Sequence, residues 1–493
     1  MTAEMTGVVV PEVAGKRSTT ALGKGVVSDA LRAQDPAAAT AAEQAKDWRA
    51  GYVPHFRSLV EAGLPSYDAA VSVAREGLES LHRRMRYLPS DGAELPLREA
   101  VRGSSDHSFE AVVVKGEGDR ADRELSLPVR GERLRGATLD RQLDRWVGTG
   151  TIEPSCAEAV RLVAANPDWL DLSDQQVVLL GAGAEMGPLT SFMRWGGNVV
   201  AIDLPRKDLW TRVLDVARKG SGRLTMPVRR DRAGTDLATS AGADLLTELP
   251  ELTAWLAETD GPLVLGDYVY ADGATNLRVA MGVDALTEEL LARRSDVALA
   301  FLATPTDVFA VPAEAVEHAA SGFGQRGALR RMRLPLRAVS GGRLLQRNYP
   351  DAVTLDGKPA GINDSLVPQQ GPNYALAKRL QRWRAAVARD GGTQVSLNIA
   401  PPTRTRSVVK NRALALAYAG ARGFGVEVFE PATSNVLMAT LLVHDLRNPP
   451  AARMHPYEAE WQAAAHGGLW RQPYAPRSVL GLAVLVGLGG ARA

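Results

Sequence analysis

A single cysteine, Cys156, stands among 493 residues, so the chain can form no internal disulfide. Val160, Leu162 and Val163 beside it suggest a packed thiol. Histidine is scarce too: the seven present form no H-x-x-x-H pair and no Cys/His cluster, which argues against a metal site. An excess of one charge is also missing. With 58 basic and 56 acidic residues the net charge is +2, which gives no electrostatic case for a nucleic-acid partner. Lysine is rare, nine against 49 arginines, so arginine-rich stretches carry little functional weight by themselves. No apolar run is long enough to cross a bilayer; Val479 to Leu488 is too short. The start, MTAEMTGVVVPEVAG, has neither the basic head nor the apolar centre of a signal peptide. The expectation is a soluble, cytoplasmic protein without a membrane span, long enough for two or three domains.

What the chain does have is concentrated in QQVVLLGAGAEMGPLTSFMRWGGNVVAID, from Gln175 to Asp203. Val177 to Leu180 reads as a buried strand, and Gly181, Gly183 and Gly187 form a turn. Leu189, Phe192 and Met193 then recur at helical spacing, and Asn198 to Ile202 is a second strand ending on Asp203. Glycine is needed where backbone must approach a phosphate, and a helix N-terminus favours negative charge there. A carboxylate about 20 residues on can accept from ribose hydroxyls; Gly181 to Asp203 is 22. Glu185 stands inside the turn, beside Met186. S-adenosylmethionine-dependent methyltransferases use the same strand, turn and acid, so the turn alone leaves both classes open.

The remaining pattern predicts a doubly wound parallel α/β sheet of Rossmann type. Residues 1–45, rich in Ala, Thr and Gly, read as a mobile arm. Residues 46–170 read as a separate α+β N-terminal domain, with helices between Trp48 and Tyr87 and a hairpin of Phe109–Val114 with Leu125–Val129 around GEGDRADRE. The first part of the Rossmann domain covers 171–309, with strands at Pro262–Leu265 and Val297–Leu302. An insertion at 310–365, holding the arginine-rich Arg326–Arg337, precedes the second part at 366–493. That part contains a helix at Tyr374–Arg389, strands at Thr393–Ala400 and Val426–Phe429, and a C-terminal extension with a last strand at Val479–Leu488.

Tyr374 and Lys378 lie one turn apart and so leave the same helix face. A tyrosine near pKa 10 transfers protons poorly at neutral pH, and a neighbouring ammonium lowers that pKa. Such a pair can exchange a proton with a substrate oxygen while a cofactor moves hydride. Upstream lies the strand ending at Thr304 and Thr306, and downstream NIAPPTRT.

With these residues together, roughly 175–309 and 366–490 resemble the short-chain dehydrogenase/reductase family. Gly181 and Gly187 match its Thr-Gly-x-x-x-Gly-x-Gly turn; Leu180 replaces the threonine and Glu185 the middle glycine. The resemblance implies that Asp203 is the acid of NAD-preferring members and Asn276, in NLRVAMGVDALTEELLAR, the proton-relay asparagine. Tyr374 becomes the general acid/base and Lys378 the residue that tunes it and holds the nicotinamide ribose. Pro401 and Thr403 become nicotinamide contacts. The family's serine position holds Thr304 and Thr306, 28 and 30 residues beyond Asn276, with Ser365 as a rival.

The implied activity is that of an NAD(P)-dependent oxidoreductase on a carbonyl/alcohol pair of a small or acyl-type substrate. Asp203 favours NAD, while Arg206 and Lys207 could hold the 2′-phosphate of NADP. A homo-oligomer stays open. So do two other classes: a nucleotide-binding but inactive regulator or scaffold, suggested by Glu185 and the missing serine, and the methyltransferase.

Overall fold

The computed structural model describes residues 6–102, 107–119, 121–232, 234, 236–324, 328–449 and 453–490. The ends of the expected arm and C-terminal extension, Arg120 of GEGDRADRE and Arg326 lie outside them. The strands that build the site are, in order, β1 (Phe109–Lys115), β2 (Gln176–Leu180), β3 (Asn198–Ile202), β4 (Arg223–Arg229), β5 (Leu263–Asp267) and β6 (Val297–Ala303). After them come β7 (Val308–Pro312), β8 (Val353–Leu355), β9 (Lys358–Asp364) and β10 (Val395–Ile399).

Seven of these form one sheet in the order β10-β6-β5-β2-β3-β4-β1. All its pairings are parallel except β1 with β4. β2 and β3 are almost wholly apolar and β5 is buried throughout, as parallel strands covered on both faces require. β1, at the edge, instead alternates half-buried and exposed residues after the buried Phe109. Without β1 the order is that of the doubly wound α/β fold, so the Rossmann-like class expected for 171–309 and 366–493 describes this sheet.

The N-terminal third differs from expectation. Instead of a mobile arm, Thr19–Arg32 and Pro36–Gln44 are helices, N-capped by the side chains of Ser18 and Asp35. Leu22, Val26, Val27 and Leu31 are buried, and Gly7–Val9 pairs with Arg86–Leu88. Frequent alanine and glycine blurred the helical period there. Nor does 46–170 pack as a separate body. The helices Trp48–Glu61 and Tyr67–Arg84 lie against the helix Pro372–Asp390, and a single apolar core runs from Val8 to Trp470. Gly77 lets two of these helices touch: a Cβ there would stand 2.4 Å from the Trp383 ring.

The expected 109–129 hairpin does not form. β1 pairs with β4, and Leu127–Val129 with Glu132–Leu134. β4 was missed although Leu224, Met226 and Val228 alternate along RLTMPVR, because Pro227 interrupts the run and its flanks are arginines. Val426–Phe429 makes only an isolated bridge, Phe429 with Thr403. Val479–Leu488 belongs to a helix, Pro476–Gly490, packed on Arg412–Ala421. An apolar run of that length fits either element, and Gly420 and Gly487 settle it by letting the two helices meet backbone to backbone. Around 310–365, β9 pairs with both β7 and β8 in a small antiparallel sheet, order β7-β9-β8, next to the helices Ala313–Gly324 and Ala328–Val339.

The C-terminal extension is tied down by a buried cluster. His466 Nε2 lies 2.8 Å from Glu153 Oε1, and Arg471 donates to both Glu153 oxygens. Burial alone would raise the Glu153 pKa, but these partners outweigh it and hold it at about 2. A carboxyl depressed in the fold stabilises above its unfolded pKa near 4.5, and that stability is lost as pH falls toward 2. Acid titration followed by circular dichroism should therefore show about 3 kcal/mol of stability disappearing over that window. Glu153→Gln should lose this component, and an unchanged acid profile would contradict the assignment.

Candidate active site

The carboxyl ends of β2 and β5 meet at the switch point of the sheet, where the chain winds outward in opposite directions. Gly181 leaves β2 at φ +83°, a left-handed conformation, and a Cβ there would come within 3.0 Å of the Tyr268 carbonyl. The N–H groups of Gly181 and Ala182 donate to Ile202 O at 2.9 and 3.1 Å. Gly183 N donates to Asp203 Oδ2 at 2.8 Å, and Leu204 N to Oδ1 at 2.8 Å. The turn and the acid thus form one hydrogen-bonded unit. Burial pushes the Asp203 pKa up, and these two backbone donors pull against it.

The rest of the turn is held from the far side. Gly187 O accepts from Asn435 Nδ2, and Asn435 Oδ1 accepts from Ser191 Oγ at 3.1 Å. Met186 is half-buried against the core. Glu185 accepts from Arg406 N at 2.8 Å and pairs with Arg406 Nε at 3.1 Å, so its charge is taken up outside the turn. Arg206 and Lys207, the expected 2′-phosphate readers, are paired with Asp208 and Asp236 at 2.8 and 3.3 Å.

The helix Pro372–Asp390 begins after Gly371 at φ +81° with Pro372 in its first turn, which sets Tyr374 at its mouth. The Tyr374 hydroxyl lies within reach of the Thr304 side chain, just beyond β6, and its ring meets Tyr270 edge-on at 6.3 Å. Thr304 and Thr306 share a hydroxyl contact of 2.9 Å, and Gln370 Nε2 holds Thr306 by its carbonyl and hydroxyl oxygens. The structure therefore brings Tyr374, Thr304 and Thr306 together.

Lys378 behaves differently from expectation. Burial pushes the Tyr374 pKa up; the Thr304 hydrogen bond opposes this, and Asp307 adds to it. The ammonium does not offset that rise because it turns to Leu302 O at 3.3 Å and Gln381 Oε1 at 3.0 Å. Burial lowers its own pKa, against the pull of Asp267 and Asp307.

Three further residues have local duties. Asn276 accepts from Ala271 N at 3.0 Å and shares no hydrogen bond with Lys378 among the described residues. Thr403, 6% exposed, donates to Pro401 O at 2.8 Å and lies 2.6 Å from Ser434 Oγ, which spends its hydroxyl inside the loop. Ser365, 1% exposed, donates to Asn363 in the small sheet. The threonines, not Ser365, stand at the tyrosine.

Sequence reasoning missed the charges behind this face. Asp307 receives Arg379 Nη2 at 2.9 Å and Arg382 Nη1 at 2.7 Å, and Arg382 also grips Glu460 with two bonds of 2.6 Å. All four are buried. Asp267 at the end of β5 and Gln381 on the helix were missed as well. The available signal was arginine on the apolar face of an otherwise amphipathic helix.

No family model matches the chain, and no curated protein matches it. Among solved structures, it is similar to a thiolation-reductase di-domain from an archaeal non-ribosomal peptide synthetase. The identity is 13% and the TM-score 0.28, over 58% of this chain and 54% of that one. The chain thus spans about half the length of that structure. A second similar structure is the terminal R domain from the myxalamid PKS-NRPS biosynthetic pathway, at 12% identity and TM-score 0.25, over 65% of this chain and 92% of that one. At this identity and score they add nothing to the residues described above.

Proposed function

We propose that the chain is an NAD(P)-dependent oxidoreductase of short-chain dehydrogenase/reductase type, acting on a carbonyl/alcohol pair of a small or acyl-type substrate. The observation that carries this reading is the Tyr374 side chain at the start of its helix, within reach of Thr304 just beyond the carboxyl end of β6 and one helical turn before Lys378. The residues at the switch point fit a dinucleotide. Gly181 and Gly183 clear the space a Cβ would take, and Asp203 offers a carboxylate with acceptor capacity beyond its two backbone bonds. Gly181, Gly183 and Gly187 would hold the diphosphate, Asp203 the adenosine ribose, and Lys378 the nicotinamide ribose.

A nicotinamide there supplies or accepts the hydride. Tyr374, kept neutral by its raised pKa, gives its phenolic proton to the carbonyl oxygen as the alcohol forms and recovers a proton from solvent afterwards. Thr304, with Thr306 behind it, fixes that oxygen by a hydrogen bond.

Calorimetric titration with NAD and NADP tests the cofactor. Asp203 supports a preference for NAD, and Asp203→Ala should weaken NAD binding by roughly tenfold or more, the worth of hydrogen bonds to a charged acceptor. Silence with both nicotinamides, with S-adenosylhomocysteine binding instead, would move the chain to the methyltransferase class. The Glu185–Arg406 pair at the turn favours a second reading, a nucleotide-binding regulator, which predicts NAD binding without turnover.

A further inference from the structure

Behind the Tyr374 face, two buried polar side chains have no part in the chemistry proposed so far. Asp267 is 3% exposed and ends β5 at the switch point; Gln381 is 5% exposed and lies one turn after Lys378. Gln381 bridges them. Its Oε1 accepts from Lys378 Nζ at 3.0 Å, and its Nε2 donates to Asp267 Oδ2 at 2.8 Å. The other Asp267 oxygen takes Val269 N at 3.2 Å. Lys378 Nζ has a second acceptor in Leu302 O.

A buried carboxylate is costly unless it is hydrogen-bonded and faces a cation. The bridge meets both needs, and it fixes the amide orientation, because only Gln381 Oε1 can face the ammonium and only Nε2 the carboxylate. We infer that Asp267, acting through Gln381, is the positioning acid of the Lys378 ammonium, the support that Asn276 does not give. This rests on the function proposed above for its catalytic meaning. Asp267 touches neither substrate nor cofactor in it. Its part is to hold Lys378 charged and fixed in place beside Leu302 O.

Other charges reach the same ammonium. Asp307 acts on it from the turn after β6, while Arg379 and Arg382 on its own helix are paired with Asp307, and Arg382 also with Glu460. Asp284, on the helix Gly273–Arg293, acts on Asp267 but is paired with Arg384. Tyr374 remains neutral. Asp267 is thus the acid in line with Lys378 whose charge no arginine takes.

The test follows the lysines of the full chain by NMR titration after selective labelling with ¹³C,¹⁵N-lysine, read at the side-chain Cε and Nζ. Nine lysines give few signals, and that of Lys378 is assigned by its loss in Lys378→Arg. Asp267→Asn keeps the shape and removes the charge, and it should lower the Lys378 titration by roughly 1–2 pH units. Gln381→Met keeps the volume and removes the bridge, and it should also lower it. Lys358, paired with Glu458 at the surface, should titrate alike in every variant.

A purely structural Asp267 predicts lower stability with the Lys378 titration unmoved, and that result in folded Asp267→Asn overturns the inference. Should that variant not fold, Gln381→Met decides in the same way. The titration needs no turnover. A parent chain inactive on every carbonyl would defeat the proposed function and leave this answer standing.

Discussion

Tyr374→Phe is expected to leave a folded chain that binds nicotinamide nearly as tightly as the parent and turns over roughly 10²–10⁴-fold more slowly. The substitution keeps the ring, and with it the edge contact to Tyr270, while it removes the hydroxyl that faces Thr304. The adenosine end of the crevice, from Gly181 to Asp203, is untouched. Lys378→Met should separate from it by weakening both cofactor binding and rate. Steady-state kinetics beside calorimetric binding make the distinction. Parent-rate turnover by folded Tyr374→Phe would show that the hydroxyl is a spectator at the mouth of its helix.

Asp307→Asn should give the largest stability loss of any single charge removal near the site, about 3–5 kcal/mol. Asp307 is the carboxylate that Arg379 and Arg382 share, and all three are nearly inaccessible to water. Removing it leaves two guanidiniums facing Glu460 alone, in surroundings that cannot solvate the excess charge. The asparagine keeps the volume, so lost charge and not a cavity is what the experiment reads. A loss of that size is a large share of the 5–15 kcal/mol typical of a folded domain. Asp215→Asn, which breaks an exposed pair with Lys219, is the control and should leave the urea midpoint unchanged. Equal midpoints for the two variants would mean that water reaches the Asp307 cluster.

What could be read in advance follows from how local each signal is. β2, the glycine turn, β3 and Asp203 form a contiguous unit whose apolar runs and glycines need no distant partner to be recognised, and the structure has them in that arrangement. Tyr374 and Lys378 were legible for the same reason, since helical spacing alone puts them on one face. The failures are all non-local. β1 found its partner β4 more than a hundred residues away, across a strand disguised by Pro227. The helix Thr19–Arg32 has a long-range partner too, Tyr67–Arg84, and its own glycines and alanines gave no clear period.

The charges behind the site show the same limit most clearly. Arg379, Arg382 and Arg384 in a sequence so rich in arginine read as solvent-facing residues. Only the fold brings Asp307, Glu460 and Asp284 to them from other parts of the chain. The tuning of Tyr374 by Lys378 was a local inference overruled by a long-range one: the ammonium is drawn to Leu302 O and, through Gln381, toward Asp267.

The most direct measurement supplies the chain with NADH and NADPH deuterated at the reactive nicotinamide carbon, together with a panel of aldehydes and ketones, and examines the products by mass spectrometry. The account predicts an alcohol carrying one deuterium on the carbon that was the carbonyl, formed by the parent chain and nearly absent with Tyr374→Phe. Carbonyl compounds recovered unchanged with both labelled cofactors would contradict it.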